Sequence, residues 1–259
     1  MRSHGLIIPD IQLDNWVLGG VGTAPKKVLN PSRDWRPFLP WGELQSRTIE
    51  TSSCSEFGTL NGIETLEKRL FGVSSNYSER LVSIGAQNTP QGNSPHIVAE
   101  WIRHNGLVNE TILPFTGEIT SWEEYMTPNP LTTELLSEAK KWLEIKVFNH
   151  EWVFNPQESV KAKQEKLWES LRYSPIGISV SAWRKENDLY VKEKGEQDNH
   201  WCLLVGAKKN SHWIVFDSYM DDDFIKELEW DYDFNIAKSF FITKVYRGFL
   251  KNYLGCLFK

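Results

Sequence analysis

Apolar positions recur first at helical and then at strand spacing along this chain. Phe57, Leu60, Ile63, Leu66 and Leu70 form a stripe at three- and four-residue intervals, which predicts a buried helix. Thr51, Ser52 and Ser53 favour an N-cap and put Cys54 in the first turn of that helix. Gly92-Asn-Ser-Pro95 opens a second helix, Ile97 to Asn105, with Gly106 just past its end. Leu131 to Leu143 and Ser159 to Leu171 read as amphipathic helices whose many charges form a solvated face, with a strand, Ile145 to Phe148, between them.

From Ser174-Pro175 onward the period changes to two. Ile176 to Val180 alternates, and His200 to Gly206 and Trp213 to Asp217 are apolar runs that predict buried strands. Phe240 to Val245 is a last strand-like run. Lys208-Lys-Asn-Ser211 is a polar turn that joins the middle two into a hairpin. A turn centred near 208.5 puts His200 directly opposite Asp217, and one centred near 209.5 puts Asp217 diagonal to it, opposite Cys202. Both leave His200 and Asp217 on one face, roughly 5–8 Å apart by Cβ. A turn centred on a whole residue number would put them on opposite faces.

Composition then limits the function classes. With 259 residues, 40% hydrophobic and 24% charged, the chain can bury a sizeable core as one domain, or as two lobes sharing a cleft. A net charge of −5 gives no electrostatic footprint for nucleic acid. Twelve tryptophans read as aromatic packing rather than as a ligand platform. No apolar run approaches membrane-spanning length, and residues 1–20 lack a basic segment followed by an apolar one, so no signal peptide is expected. Three cysteines make no disulfide framework. The expected setting is therefore reducing: the cytoplasm, or a phage particle packaged from it. The Asn-x-Ser/Thr sequences at Asn76 and Asn109 are then chance matches.

Residues 1–33, rich in Pro, Gly and polar residues, read as an extended leader before a domain spanning 34–259. Free amides and the dipole at a helix start favour a thiolate at Cys54, although a buried, inert cysteine fits that stretch equally well. His200 taken alone reads as a core histidine. His96, His104 and His212 lack metal-ligand spacing, and Asp221-Asp-Asp223 lacks the glycine and distal glutamate of a calcium loop. No phosphate-binding loop or serine elbow is present, so neither metal nor cofactor is expected.

Several segments together resemble the papain family of cysteine peptidases: Asp34-Trp35-Arg36, Gln45, Cys54-x-x-Phe57 with Ile63-Glu64 following, and Ser78 to Val82. The run from Gly92-Asn-Ser-Pro95 to Leu113-Pro-Phe115, Asp198-Asn-His200 before an apolar strand, and Phe216-Asp-Ser-Tyr219 extend the resemblance from about Asp34 to Ile242. It implies an α+β, two-lobed fold, with a helical lobe over about 42–130 carrying the nucleophile. A β-rich lobe over about 131–245 would carry His200 and Asp217, followed by a short tail, 246–259.

The resemblance also implies a cysteine endopeptidase acting on a peptide or protein substrate. Cys54 is the nucleophile, His200 the base, and Asp217 stands where the family has an asparagine. Gln45, on a loop three residues longer than in papain itself, supplies the oxyanion-hole amide. Gly92, Asn93 and Ser94 form the loop that hydrogen-bonds an extended substrate, Asn93 taking the place of a glycine because it tolerates the left-handed conformation. Tyr219 replaces a shielding tryptophan. Trp201 either borders a substrate subsite or points into the core. A phage or uncultured-bacterial branch suits the short leader, and no oligomeric state is implied. Three other readings stay open: a peptidoglycan-cleaving cysteine hydrolase, isopeptide cleavage or transfer, and a non-catalytic binding or virion-structural module.

Overall fold

A computed structural model describes residues 4–9, 27–219 and 223–245. Most of the leader, the acidic residues Asp221 and Asp222, and the tail 246–259 lie outside the described residues. The helices are α1 (Cys54–Phe71), α2 (Glu79–Gly85), α3 (Pro95–Asn105), α4 (Trp122–Tyr125), α5 (Thr133–Leu143) and α6 (Val160–Ser170). The strands are β1 (Lys146–Trp152), β2 (Ile176–Val180), β3 (Arg184–Glu186), β4 (Leu189–Val191), β5 (His200–Lys208), β6 (His212–Phe216), β7 (Ile225–Glu229) and β8 (Ala237–Lys244). They form one sheet in the order β1-β8-β2-β5-β6-β7-β4-β3. Every pairing is antiparallel except β4 with β7.

Helix α1 starts at Cys54 and stops at Gly72, whose φ of 67° is the left-handed conformation that ends a helix cheaply at glycine. Its apolar stripe is buried, but so are Ser55, Glu56, Thr59 and Glu67 on its other sides. This is a central helix rather than an amphipathic surface one. It lies directly on β5, because a Cβ on Gly58 would stand only 2.7 Å from the Trp201 ring. Ser53 occupies the N-cap position but its hydroxyl makes no capping bond; instead Tyr125 donates to it at 3.3 Å.

The β5–β6 hairpin turns through Lys208 and His212, so its centre falls on Asn210, a whole residue number. Continued unbroken, that register would put His200 and Asp217 on opposite faces. It is broken between Leu204 and Gly206, where Val205 is an extra residue on β5. Beyond this bulge Leu203 pairs Phe216, and the same register sets Cys202 opposite Asp217, with His200 diagonal to it. The odd register expected from the sequence is therefore present at the functional end, but a bulge creates it rather than the turn.

The strand foreseen at 145–148 extends to Trp152 because β1 pairs with β8 along its whole length. Three strands carry too little apolar signal to read from sequence. Strands β3 and β4 have three residues each, and β7 reads Ile-Lys-Glu-Leu-Glu. Among the described residues, no helix is long and apolar enough to cross a membrane.

Candidate active site

The site gathers at the start of α1 and the start of β5. Cys54, His200 and Asp217 are each fully buried. His200 Nε2 lies 2.6 Å from Asp217 Oδ1. A carboxylate only accepts, so Nε2 carries a proton in this bond, and Nδ1 keeps a lone pair only while the ring is neutral. Nδ1 is itself buried and has no hydrogen-bond partner among the described residues. The Cys54 sulfur is held against the backbone N–H of Trp201, the residue next to His200.

The burial of Cys54 opposes the thiolate that a helix start favours. Burial pushes the thiol well above its ordinary range and outweighs the Trp201 N–H, while the negative charges of Glu56 and Asp217 push it further. Cys202, also buried, is likewise pushed up, first by burial and then by Asp217.

Asp217 collects three donors. Besides His200 on Oδ1, Oδ2 accepts from the Trp183 indole N–H at 3.0 Å and lies 3.0 Å from Lys226 Nζ. Burial alone would raise this carboxyl, but the charges and hydrogen bonds of His200 and Lys226 win and hold it below the ordinary range. Trp183 thus stands against the pair as well, its ring 5.9 Å from that of His200. Tyr219 sets its ring 5.8 Å from that of His200. Sequence reasoning missed Trp183 and Lys226, since nothing local marks either one.

Gln45 is fully buried and its amide is fixed at both ends. Its oxygen accepts from Ser218 Oγ at 3.2 Å, and its nitrogen donates to Glu50 Oε1 at 3.1 Å and to the carbonyl of His4 at 3.3 Å. Gln45 therefore reaches both the N-terminal segment and Ser218, the neighbour of Asp217. It presents a side-chain N–H to a peptide carbonyl beside His200.

That carbonyl belongs to the chain's own N-terminal segment, which runs through the site. His4 donates its N–H to Asn199 O at 3.0 Å, and its ring meets those of His200 and Tyr219 edge-on. Asn93 donates to Gly5 O at 2.9 Å, and Ile7 donates to Asn93 O at 2.9 Å, so Leu6 bridges Asn93 in parallel. A Cβ on Gly5 would meet Ser52 O at 2.2 Å, and one on Gly92 would meet Gly5 O at 1.8 Å. Only two glycines allow this approach.

Within the 92–94 loop the left-handed residue is Gly92, φ 104°, and not Asn93. Asn93 earns its place through its side chain, which donates to Ala86 O at 3.0 Å and to Glu56 Oε1 at 3.2 Å and accepts from Ser94 N. Ser94 caps α3. Glu56, unforeseen as a site residue, is buried on all sides, and burial raises its carboxyl to about 7. Trp201 is fully buried, its ring wedged between Gly58 and Gly177, so it faces the core and borders no subsite.

No protein-family profile and no curated protein sequence matches the chain. Solved structures do. Xylellain, a cysteine protease from Xylella fastidiosa, is 15% identical, with 95% of this chain covering 97% of that one at a TM-score of 0.66. Digestive procathepsin L 3 of Tenebrio molitor larval midgut is 15% identical over 83% of this chain and 71% of its own, at 0.58. Bromelain from Ananas comosus, solved with the E64 inhibitor, is 16% identical over 80% and 96%, at 0.56. The chain has the papain-like fold. In this papain-like arrangement Cys54 opens the long central helix, and His200 and Asp217 flank the β5–β6 hairpin. The Gly92–Ser94 loop forms the opposite wall, across the N-terminal segment.

Proposed function

We propose that this chain is a cysteine-type endopeptidase working through Cys54, His200 and Asp217. The observation that carries the reading is Gln45, whose side-chain N–H already bonds a peptide carbonyl, that of His4, beside the His200–Asp217 pair. A substrate carbonyl at that point would have the same donor. His200 Nδ1 takes the proton of Cys54 Sγ, and the thiolate attacks the substrate carbonyl carbon. Negative charge moves to the carbonyl oxygen, where the Gln45 amide and the Cys54 main-chain N–H stabilise it. The Nδ1 proton then passes to the leaving amine as the C–N bond breaks. Water, deprotonated by His200, hydrolyses the thioester and restores the thiol.

In this reading residues 1–33 are a leader whose residues 4–7 hold the substrate's place, and the single parallel bridge between Leu6 and Asn93 keeps them there. Incubation with an epoxide inhibitor of the E64 type tests it, after removal of residues 1–30 and with mass mapping of the adduct. A single adduct on Cys54, absent in His200→Ala, is expected; an unmodified Cys54 contradicts it. A non-catalytic binding module is the second reading, favoured by the full burial of Cys54 and the upward push on its thiol.

A further inference from the structure

Asp217 presents a problem of charge. It is fully buried, and His200 must be neutral for Nδ1 to accept a proton. A buried carboxylate with no other counter-ion would hold its histidine in the charged form and remove that lone pair. A neutral asparagine, the residue the papain family has here, raises no such problem.

The chain supplies a cation for it. Lys226 sits on β7 opposite Val215, with a side chain only 2% exposed, and its Nζ is 3.0 Å from Asp217 Oδ2. Its other N–H groups go to Asp223 O at 2.7 Å and Tyr219 O at 3.3 Å, so all three have acceptors. The ammonium also lies 5.3 Å from the Trp183 ring that shields the carboxylate. Other titratable groups face the pair: Cys54 and Glu56 on α1, Cys202 on β5 with Asp198 before it, His4 of the N-terminal segment, and Tyr219. None of these is a lysine or an arginine.

We propose that Lys226 is a positioning residue that neutralises Asp217, so that the Asp217–Lys226 pair acts on His200 as an uncharged hydrogen-bond acceptor and leaves the imidazole free to gain and lose a proton. The catalytic consequence rests on the peptidase reading; the electrostatic one does not. A purely structural Lys226 would tether Tyr219 and Asp223 and leave the titration of His200 unmoved.

NMR titration of the His200 ring in the full chain separates these cases, using Lys226→Met, Asp217→Asn and the double variant, each checked for cooperative unfolding. Lys226→Met should move the midpoint up by about one pH unit, since the carboxylate then acts unopposed. Asp217→Asn should move it down by about one unit or more, since the ammonium then faces the imidazolium alone. The double variant should return to within about 0.3 of the unaltered chain, and with residues 1–30 removed its kcat/KM should exceed that of Asp217→Asn about tenfold. An unmoved midpoint in Lys226→Met overturns the proposal. Should Lys226→Met not fold, equal midpoints in Asp217→Asn and the double variant overturn it. If the midpoints move as stated but the unaltered chain, freed of residues 1–30, cleaves no peptide, the inference stands and the peptidase reading falls.

Discussion

The main-chain N–H of Trp35 bonds the carbonyl of Val205 at 2.8 Å. Val205 is the bulge residue of β5, so the Asp34-Trp35-Arg36 segment secures the irregularity that turns His200 and Asp217 onto one face. Trp35 is itself fully buried and anchored by its indole N–H to Leu171 O at 2.7 Å. A motif far from the site in sequence thus supports the register on which the site depends.

Deleting Val205 should carry the register of the turn, centred on Asn210, through to the strand ends. His200 and Asp217 would then point to opposite faces. The downfield imidazole N–H resonance expected of the short Nε2–H bond to Asp217 should vanish from the proton NMR spectrum, and peptide hydrolysis with it. A variant that folds and keeps that resonance would show that the bulge does not set the register.

Gln45→Ala removes the donor that now bonds His4 O. In the chain freed of residues 1–30, kcat should fall about 10²–10³-fold with KM little changed, as for loss of one oxyanion donor. Activity within threefold of the unaltered chain would assign the oxyanion to another group.

Much of this was legible in the sequence because the signals are local. The stripe from Phe57 to Leu70 marks α1, and the polar turn after β5 marks the hairpin, so Cys54, His200 and Asp217 could be named from spacing and resemblance. Lys226 could not, since it lies on a strand whose charges hide its period. Trp183 could not either: it reaches Asp217 from 34 positions upstream, and only the sheet order brings them together. Tyr219, the neighbour in sequence, does stand against the His200 ring, at 5.8 Å. The Val205 bulge leaves no mark on an apolar run, so a turn centre inferred from polarity alone reached the right face by a different route. Asn93 was expected to bend the backbone, whereas Gly92 bends it and Asn93 ties the loop to Glu56.

Glu56 gives a pH-dependent stability. Burial raises its carboxyl from 4.5 to about 7, so the folded state favours the protonated form. The stability this contributes is fully present below about pH 4.5 and is lost as pH rises through 7, by about 3 kcal/mol. Glu56→Gln keeps an acceptor for Asn93 and has no charge to bury. Thermal unfolding should therefore show the variant more stable than the unaltered chain at pH 8 and equal to it at pH 4.5. A variant no more stable at pH 8 would mean that Glu56 carries no such burial cost.

Competitive alkylation of the three thiols asks most directly whether Cys54 is a nucleophile activated by His200. At pH 5.5, thiols of ordinary pKa near 8.5 are almost wholly protonated and react slowly with iodoacetamide. In the full chain, with residues 4–7 across the site, Cys54 should be protected. With residues 1–30 removed, it should be modified at least tenfold faster than Cys202 or Cys256, and His200→Ala should abolish that preference. If Cys54 in the shortened chain reacts no faster than Cys256, no thiolate–imidazolium pair forms, and the chain is a binding module on a papain-like fold.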